Sequence, residues 1–167
     1  MDHPIIITGF MGAGKTTVAR APARVLNCNA LDLDLLITEK EKRSPKEIIE
    51  QDGEATFREV ETRNLRQALS TGSDRVIALG GGAWTLQLNR DLIAEHNGFT
   101  VWLDAPFELC WQRIADGERE RPLAPNKDQA QKLYEERRQS YALASFHLLA
   151  DGNIDMDGLA SIIAAAL

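Results

Sequence analysis

The sequence predicts an α/β fold in which a parallel β-sheet is flanked by α-helices. Short apolar runs alternate with longer amphipathic runs along almost all of the 167 residues, and this alternation is typical of parallel strands joined by crossover helices. The chain length predicts a single domain, residues 1–167, because compact domains commonly contain about 100–200 residues. We therefore expect one hydrophobic core and one active cleft.

Five short apolar segments are candidate strands. The stronger ones are Ile5–Thr8, Val76–Leu79 and Thr100–Leu103, and the weaker ones are Ala30–Asp32 and Leu148–Ala150. Amphipathic periodicity predicts helices over Lys15–Leu26, Asp34–Arg43, Pro45–Gln51, Glu54–Ser70, Leu86–Glu95, Phe107–Ala115, Lys127–Ala144 and Asp157–Leu167. Because Pro22 has no amide hydrogen and crowds the preceding turn, the first helix is expected to kink or end near Ala21.

The overall composition limits the classes of function. The chain has 25 acidic and 19 basic residues, a formal net charge of −6, which argues against nucleic acid or an anionic membrane as a partner. No apolar run reaches the roughly 18 residues that a membrane span requires, and no secretory leader is evident, so we expect a cytoplasmic protein. Cys28 and Cys110 are predicted to be small buried thiols. No strand edge or heptad pattern predicts a partner, so we expect a monomer.

Residues 9–16 form a complete phosphate-binding motif. Their sequence, GFMGAGKT, matches GxxxxGK[ST], follows the first candidate strand and opens the first candidate helix, which is the context that the motif requires. The glycines let successive backbone amides point at phosphate oxygens, and the helix dipole adds positive potential. Lys15 would reach the β- and γ-phosphates of a nucleotide, and the hydroxyl of Thr16 would bind Mg²⁺.

Two carboxylates follow the second candidate strand. Asp32 and Asp34 stand two residues apart, so an extended backbone would direct both side chains to one face. Ligands of open α/β sheets bind beyond the carboxyl ends of the strands, so both carboxylates are expected at the nucleotide crevice. One could hold the water shell of Mg²⁺ and the other a substrate hydroxyl. Alternatively, Asp34 only caps the next helix.

Arg58 and a run of three glycines are the next candidate site residues along the chain. Arg58 and Glu61 share a helix face, and an i,i+3 ion pair would explain part of this pattern. Three consecutive glycines, residues 80–82, directly follow a buried strand. They indicate that a ligand or another chain segment approaches the backbone very closely, since a plain turn rarely needs three.

Two further arginines follow the fourth strand. Asp116–Asp128 is a polar, irregular segment that contains Arg121, and its composition suits either a mobile loop over a site or an ordinary connection. A loop arginine can stabilise charge during phosphoryl transfer. Arg137 lies on the next helix, four residues before Tyr141, and a guanidinium fork suits a substrate carboxylate.

The combined motifs resemble those of the shikimate kinase family from about Pro4 to the C-terminal helix. The matching segments are the GxxxxGKT loop, Leu31-Asp32-Leu33-Asp34, Gly53-Glu54 with Phe57-Arg58 and Glu61, the glycine triplet, Arg121-Pro122-Leu123, and Arg137 with Tyr141. The resemblance implies a three-layer P-loop kinase fold with a five-stranded parallel sheet. It also implies ATP-dependent phosphorylation of the 3-hydroxyl of shikimate, a step toward aromatic amino acids, with Mg²⁺ as the cofactor.

The resemblance further implies roles for individual residues. The implied catalytic residues are Lys15, Asp34 and Arg121. The implied ATP-binding residues are Gly12, Ala13, Gly14, Lys15, Thr16, Thr17, Arg113 and Arg121. The implied shikimate-binding residues are Asp34, Arg58, Gly80, Gly81, Gly82 and Arg137, and the implied Mg²⁺ ligands are Thr16 and Asp32. A substrate-binding segment is expected over about residues 33–61 and a lid over about residues 113–127.

Other functions stay open at this point. A kinase of another small hydroxy acid such as gluconate, or of a nucleoside monophosphate, would share the loop and the sheet without needing Asp34, Arg58 and Arg137 together. A non-catalytic nucleotide-binding regulator would usually have lost Lys15, a magnesium ligand or the substrate arginines, and all are present here. A GTPase is excluded, because residues 126–129, NKDQ, place the aspartate one position too early for an NKxD guanine-binding motif.

Overall fold

The structure, a computed structural model, describes residues 3–73, 75–117 and 125–153, together with 158, 161–163 and 165. Within these residues five strands form one parallel sheet in the order β2-β3-β1-β4-β5. The strands are β1 (Ile5–Thr8), β2 (Ala30–Asp32), β3 (Val76–Ala78), β4 (Phe99–Asp104) and β5 (Phe146–Leu149). All five predicted strands are therefore present, including the two weaker candidates.

Helices connect the strands in the described part of the chain. They are α1 (Lys15–Val25), α2 (Leu33–Glu41), α3 (Pro45–Asp52), α4 (Glu54–Thr71), α5 (Gln87–Glu95), α6 (Phe107–Asp116) and α7 (Lys127–Tyr141), with a 3₁₀ turn at Ala83–Thr85 before α5. Most of the predicted helix Asp157–Leu167 lies outside the described residues, and its described positions, 158, 161–163 and 165, are helical. None of the described helices is long and apolar enough to cross a bilayer.

The centre of the sheet is apolar on both faces. Ile5, Ile6 and Ile7 of β1 are fully buried, as expected for a central strand covered by helices on both sides. In the register, Ile6 is aligned with Ile77 of β3. The chain turns to β2 and β3 on one side of β1 and to β4 and β5 on the other. The loop after β1 thus lies at the middle of the carboxyl edge, where open α/β sheets bind ligands.

Some element boundaries differ from the sequence prediction. β5 begins at Phe146 and ends at Leu149, because it is defined by pairing with β4 from Val101 to Asp104 and not by local apolarity alone. α2 ends at Glu41, since Lys42 takes a left-handed conformation with φ of 57°. α7 ends at Tyr141, and residues 142–144 continue the chain as a turn instead of the predicted helix.

The two cysteines are free thiols. Cys110 is fully buried, as predicted, whereas Cys28 is only half-buried. Burial raises the pKa of the Cys110 thiol to about 11. Cys110 is thus a packing residue of α6 in its protonated form at neutral pH.

The first helix does not end at the proline. α1 continues through Pro22 to Val25, so of the two outcomes expected near Ala21, a kink or an end of the helix, the helix end is wrong. The amide of Leu26 donates to the carbonyl of Pro22 at 2.9 Å, which shows that helical hydrogen bonding resumes after the missing donor. Pro22 is buried together with Val18 on the core side of the helix. Packing against the sheet therefore outweighs the low helix propensity of proline at this position.

We expect Pro22→Ala to raise the free energy of unfolding by about 1–3 kcal/mol, because it supplies the amide that the carbonyl of Val18 lacks. Urea denaturation followed by circular dichroism measures the change. Arg20→Ala, an exposed change in the same helix, is the control and should stay within about 0.5 kcal/mol of the parent. An unchanged or lowered stability of Pro22→Ala would mean that the buried ring compensates fully for the lost hydrogen bond.

Candidate active site

The loop between β1 and α1 has a backbone that only glycine can supply. Gly9 and Gly12 have φ of 146° and 77°. A β-carbon added to Gly9 would lie 2.6 Å from the carbonyl oxygen of Leu103, and one added to Gly12 would lie 2.6 Å from the carbonyl oxygen of Cys110. The loop is therefore packed tightly against the end of β4 and against α6. These contacts hold it in the curved form that a phosphate-binding loop needs.

The two motif residues that open α1 are held by neighbouring oxygen atoms. The ammonium of Lys15 donates to the carbonyl oxygens of Gly9 at 2.8 Å and Phe10 at 2.9 Å. The hydroxyl of Thr16 donates to Oδ2 of Asp32 at 2.5 Å. The motif thus places one cation and one hydroxyl–carboxylate pair at the start of the helix.

The carboxylates after β2 reach the site for a different reason from the one predicted. β2 ends at Asp32, and Asp34 already lies in the first turn of α2, so the two are not neighbours on an extended strand. Asp32 is the helix cap, because its Oδ1 accepts from the amide of Leu35 at 3.1 Å, so the alternative that Asp34 only caps the helix is wrong. Both carboxylates line one cavity of about 240 Å³. The same cavity is lined by Gly12, Gly14, Lys15, Thr16, Thr17, Gly80, Gly81 and Arg113.

The glycine triplet lies directly after β3, and each glycine is packed against a different predicted substrate-binding side chain. The pairs are Gly80 with Asp34, Gly81 with Arg137, and Gly82 with Arg58. A β-carbon on Gly80 would lie 2.8 Å from Oδ1 of Asp34, and one on Gly82 would lie 2.7 Å from Cζ of Arg58. The predicted close approach to this backbone is therefore made by functional groups of three separate helices.

Arg58 is largely buried on α4 and is held by two carboxylates. Its side chain is only 15% exposed and donates to Glu61 at 2.8 Å and to Glu54 at 3.3 Å. Burial acts to lower the pKa of Arg58, but the two carboxylates outweigh this effect and raise that pKa above its ordinary value. The predicted ion pair with Glu61 is present. Since Arg58 also lies against Gly82, the ion pair is only part of its environment.

Glu61 is a buried carboxylate that lies near Asp34 at Gly80 and is paired with Arg58. Its side chain is 1% exposed, and its Oε1 has no hydrogen-bond partner among the described residues. Burial raises the pKa of Glu61 to about 7, and the nearby charge of Asp34 acts in the same direction. The sequence predicted only its ion pair with Arg58. The depth of its burial depends on how α4 packs, which no local pattern encodes.

The last part of the cluster comes from α7. Arg137 is buried, and the hydroxyl of Tyr141, one turn later, donates to the carbonyl of Gly81 at 2.5 Å. Burial raises the pKa of Tyr141 to about 12. The indole of Trp84 donates to the carbonyl of Ser140 at 2.8 Å. α7 is thus attached to the glycine triplet and to the turn that follows it.

Two predicted arginines have different outcomes. Arg113, in the last turn of α6, donates to the carbonyl oxygens of Gly12 and Ala13, each at 3.1 Å, and so contacts the phosphate-binding loop directly. Arg121 and residues 118–124 of the predicted lid over residues 113–127 lie outside the described residues. The role of Arg121 therefore stays a prediction.

The sequence did not indicate a second charged cluster, at the end of β4. There the carboxylate of Asp104 accepts hydrogen bonds from Arg138 and from His147. These residues belong to no motif, and each alone has the pattern of a surface charge. The one available signal was that Asp104 follows a predicted strand.

Comparison with known proteins gives a consistent family likeness. A family model described as "Shikimate kinase" matches residues 11–166. A shikimate kinase from Ruegeria pomeroyi is 37% identical over 170 residues, which cover 100% of this chain and 86% of that protein. One from Streptococcus suis is 36% identical over 159 residues, which cover 93% of this chain and 92% of that protein.

Solved structures give the same result. A shikimate kinase from Acinetobacter baumannii, in complex with shikimate, has a TM-score of 0.84 and 33% identity, covering 98% of this chain and 91% of that one. One from Bacteroides thetaiotaomicron has a TM-score of 0.84 and 29% identity, covering 98% of this chain and 97% of that one. A sugar kinase from Janibacter sp., at 20% identity and a TM-score of 0.63, shares the fold. The predicted P-loop kinase fold is confirmed.

The raised pKa of Glu61 predicts a pH-dependent stability. A carboxyl group with a pKa of about 7 when folded, against an ordinary 4.5, stabilises the fold fully below pH 4.5 and loses that contribution as the pH rises through 7. Glu61→Gln cannot ionise. As the pH rises from 5 to 8, the free energy of unfolding of Glu61→Gln should therefore rise relative to that of the parent by about 2–3 kcal/mol.

Urea denaturation of both proteins across this pH range measures the difference. Glu54→Gln, which removes the exposed partner of the same arginine, is the matched control and should change by less than about 0.5 kcal/mol over the range. A difference between Glu61→Gln and the parent that stays constant with pH would contradict the raised pKa.

Proposed function

The chain belongs to the shikimate kinase family, which comprises ATP-dependent kinases acting on a hydroxyl group, and we propose that it phosphorylates the 3-hydroxyl of shikimate. One observation carries this proposal. A carboxylate and two arginines, Asp34, Arg58 and Arg137, each lie against one glycine of residues 80–82, beside the phosphate-binding loop. A substrate with both a hydroxyl and a carboxylate, placed next to a nucleotide, matches this set of groups.

ATP would bind along residues 12–17, with its phosphates over the loop and the start of α1. Lys15 would contact the β- and γ-phosphates and stabilise the charge that spreads over the transferring group. Arg113 would lie beside the nucleotide, since it already contacts the loop at Gly12 and Ala13. Arg121 would approach from a lid over about residues 113–127.

Thr16 and Asp32 are the residues that would hold Mg²⁺ with the nucleotide. A hydroxyl and a carboxylate, 2.5 Å apart at the start of a helix, suit a cation that takes few protein ligands and completes its shell with water and phosphate oxygens. The bound ion would neutralise phosphate charge and orient the γ-phosphate. Both residues line the same cavity as the loop, which supports this assignment.

Shikimate would lie over the glycine triplet within a substrate-binding segment that includes about residues 33–61. Its carboxylate would bind Arg58 and Arg137, which both line a second cavity of about 490 Å³. Asp34 would accept a hydrogen bond from the attacking 3-hydroxyl and take its proton. The hydroxyl oxygen would then bond to the γ-phosphorus, the bond to the β,γ-bridging oxygen would break, and ADP would leave.

The proposal extends to the setting of the protein. Two free thiols are the usual state in the reducing cytoplasm, which supports a cytoplasmic location. The net charge of −6 supports small-molecule substrates and argues against nucleic acid. We further propose that the single kinase domain, residues 1–167, acts as a monomer.

A substrate panel tests the proposed reaction. ADP release with ATP and Mg²⁺ should depend on shikimate, and gluconate or nucleoside monophosphates at the same concentration should give less than about 1% of that rate, because neither presents a ring hydroxyl and a carboxylate together at the triplet. A coupled assay measures ADP. ATP turnover without dependence on shikimate would refute the proposal, and faster turnover with gluconate or a nucleoside monophosphate would assign the protein to that kinase class.

Separate binding measurements test the two arginines. Arg58→Ala or Arg137→Ala should weaken shikimate binding by roughly 30- to 100-fold, because each loses a charge-assisted pair with the carboxylate. ATP affinity should stay within about threefold, since the cavity that both arginines line includes no residue of the phosphate-binding loop. Isothermal titration gives both constants. Arg63→Ala, an exposed change on the same helix as Arg58, is the control, and equal losses of shikimate and ATP affinity would contradict the assigned roles.

A further inference from the structure

A network of charged and aromatic side chains joins β4 and β5 to α7, and none of its members lines either cavity described above. We call Asp104, Arg138, His147, Tyr134 and Trp102 the Asp104 network. The side chain of Asp104 is 9% exposed and accepts from Nη1 and Nη2 of Arg138 at 2.6 and 3.1 Å. It also accepts from Nε2 of His147 at 2.8 Å. The buried carboxylate of Asp104, at the end of β4, thus forms a bidentate ion pair with Arg138.

Aromatic contacts hold this arginine on its other sides. Cζ of Arg138 lies 4.9 Å from the ring centre of Trp102 and 5.4 Å from that of Tyr134. Nη1 of Arg138 also donates to the hydroxyl of Tyr134 at 2.9 Å. His147 stacks on Trp102 with ring centres 4.2 Å apart. Arg138 is therefore held in one geometry, unlike a solvated surface cation.

Two residues of α7 bind the end of β4. Arg138 binds Asp104, and the hydroxyl of Tyr134 donates to the carbonyl of Ala105 at 2.8 Å. These two positions are four residues apart and lie on one face of the helix. They determine how α7 is rotated about its axis against the sheet.

The neighbouring residue on α7 is Arg137, which lies against Gly81. Consecutive residues of an α-helix project about 100° apart, so one rotation of α7 places Arg138 at Asp104 and Arg137 at the glycine triplet. A change in the first contact would therefore shift the guanidinium of Arg137. Arg138 lies in the last turn of α7, where the hydroxyl of Tyr141 also donates to the carbonyl of Gly81. The contact of Arg138 with Asp104 and the contact of Tyr141 with Gly81 therefore act together on the turn that carries Arg137.

We propose that Asp104 and Arg138 are positioning residues, which hold α7 so that Arg137 faces the carboxylate of the substrate. This inference rests on the proposed function in one respect, the role of Arg137. The planar, two-pronged pair with Asp104 has one preferred geometry, which an ammonium could not reproduce. A network that only stabilised the fold would not affect shikimate in preference to ATP.

The main variant is Arg138→Met, which retains much of the aliphatic stem and removes the fork. Shikimate binding should weaken roughly tenfold, because a small displacement of a binding group is costly, while ATP binding stays within about twofold. Isothermal titration with each ligand measures both constants. Lys132→Met is the matched control, because it removes another ion-paired cation of α7 that is 80% exposed, and it should change neither constant.

A double-mutant comparison separates positioning from general stability. If Arg138 acts through Arg137, Arg138→Met should have no further effect on shikimate affinity in an Arg137→Ala background. Losses that multiply in the double variant would overturn the proposal. So would equal weakening of shikimate and ATP, or unchanged shikimate affinity in Arg138→Met. If Arg137→Ala alone leaves shikimate affinity unchanged, the proposed role of Arg137 is wrong, and the positioning proposal falls with it.

Milder variants keep the test decisive if Arg138→Met does not fold. Arg138→Lys retains the charge without the fork, and Asp104→Asn retains an acceptor without the charge. Each should weaken shikimate binding by roughly two- to fivefold with ATP binding unchanged, as expected for partial loss of positioning. Unchanged shikimate affinity in both folded variants would overturn the proposal.

Discussion

The close approach of charged side chains to the backbone of residues 80–82 constrains most of the site. Three helices must each bring one group to a segment that has no side chains of its own. A methyl group on Gly80 would collide with Asp34, and one on Gly82 would collide with the guanidinium of Arg58. Because the triplet follows β3, which is paired with β1, these groups are held at a set distance from the phosphate-binding loop. The sheet thus determines the spacing of the two proposed ligand sites.

The charges of the cluster are held by one another and by burial. Arg58 is balanced by Glu61 and by the more exposed Glu54, so it can stay charged in a largely buried position. The ionised form of Glu61 is destabilised by its burial, which raises the pKa of this carboxyl group to about 7. This arrangement places the guanidinium of Arg58 against the backbone of Gly82, and it requires Glu61 to be buried beside it. We interpret it as a cost in stability at the proposed substrate site.

Much of this site could be predicted from the sequence, because its chemistry lies in short motifs. The phosphate-binding loop and the spacing of Arg58 and Glu61 are local patterns whose geometry a strand-to-helix turn or one helical turn determines. The contacts of Asp104 could not be predicted, because its partners Arg138 and His147 lie 34 and 43 positions away in the sequence and belong to no motif. One of the two outcomes expected near Ala21, the end of the first helix, was predicted wrongly, since helix propensity takes no account of burial against the sheet.

The net charge of −6 does not prevent the proposed anionic ligands from binding, because surface charges and buried charges are screened to different extents. Charges on the surface are screened over about 8 Å at physiological salt, whereas buried or partly buried groups are screened much less. Lys15, Arg58, Arg113 and Arg137 come from four separate helices and reach one edge of the sheet. Each is oriented by local contacts with backbone oxygens, carboxylates or the glycine triplet. In the proposed assignment, the placement of these four cations, and not the average charge of the chain, selects the anions that bind.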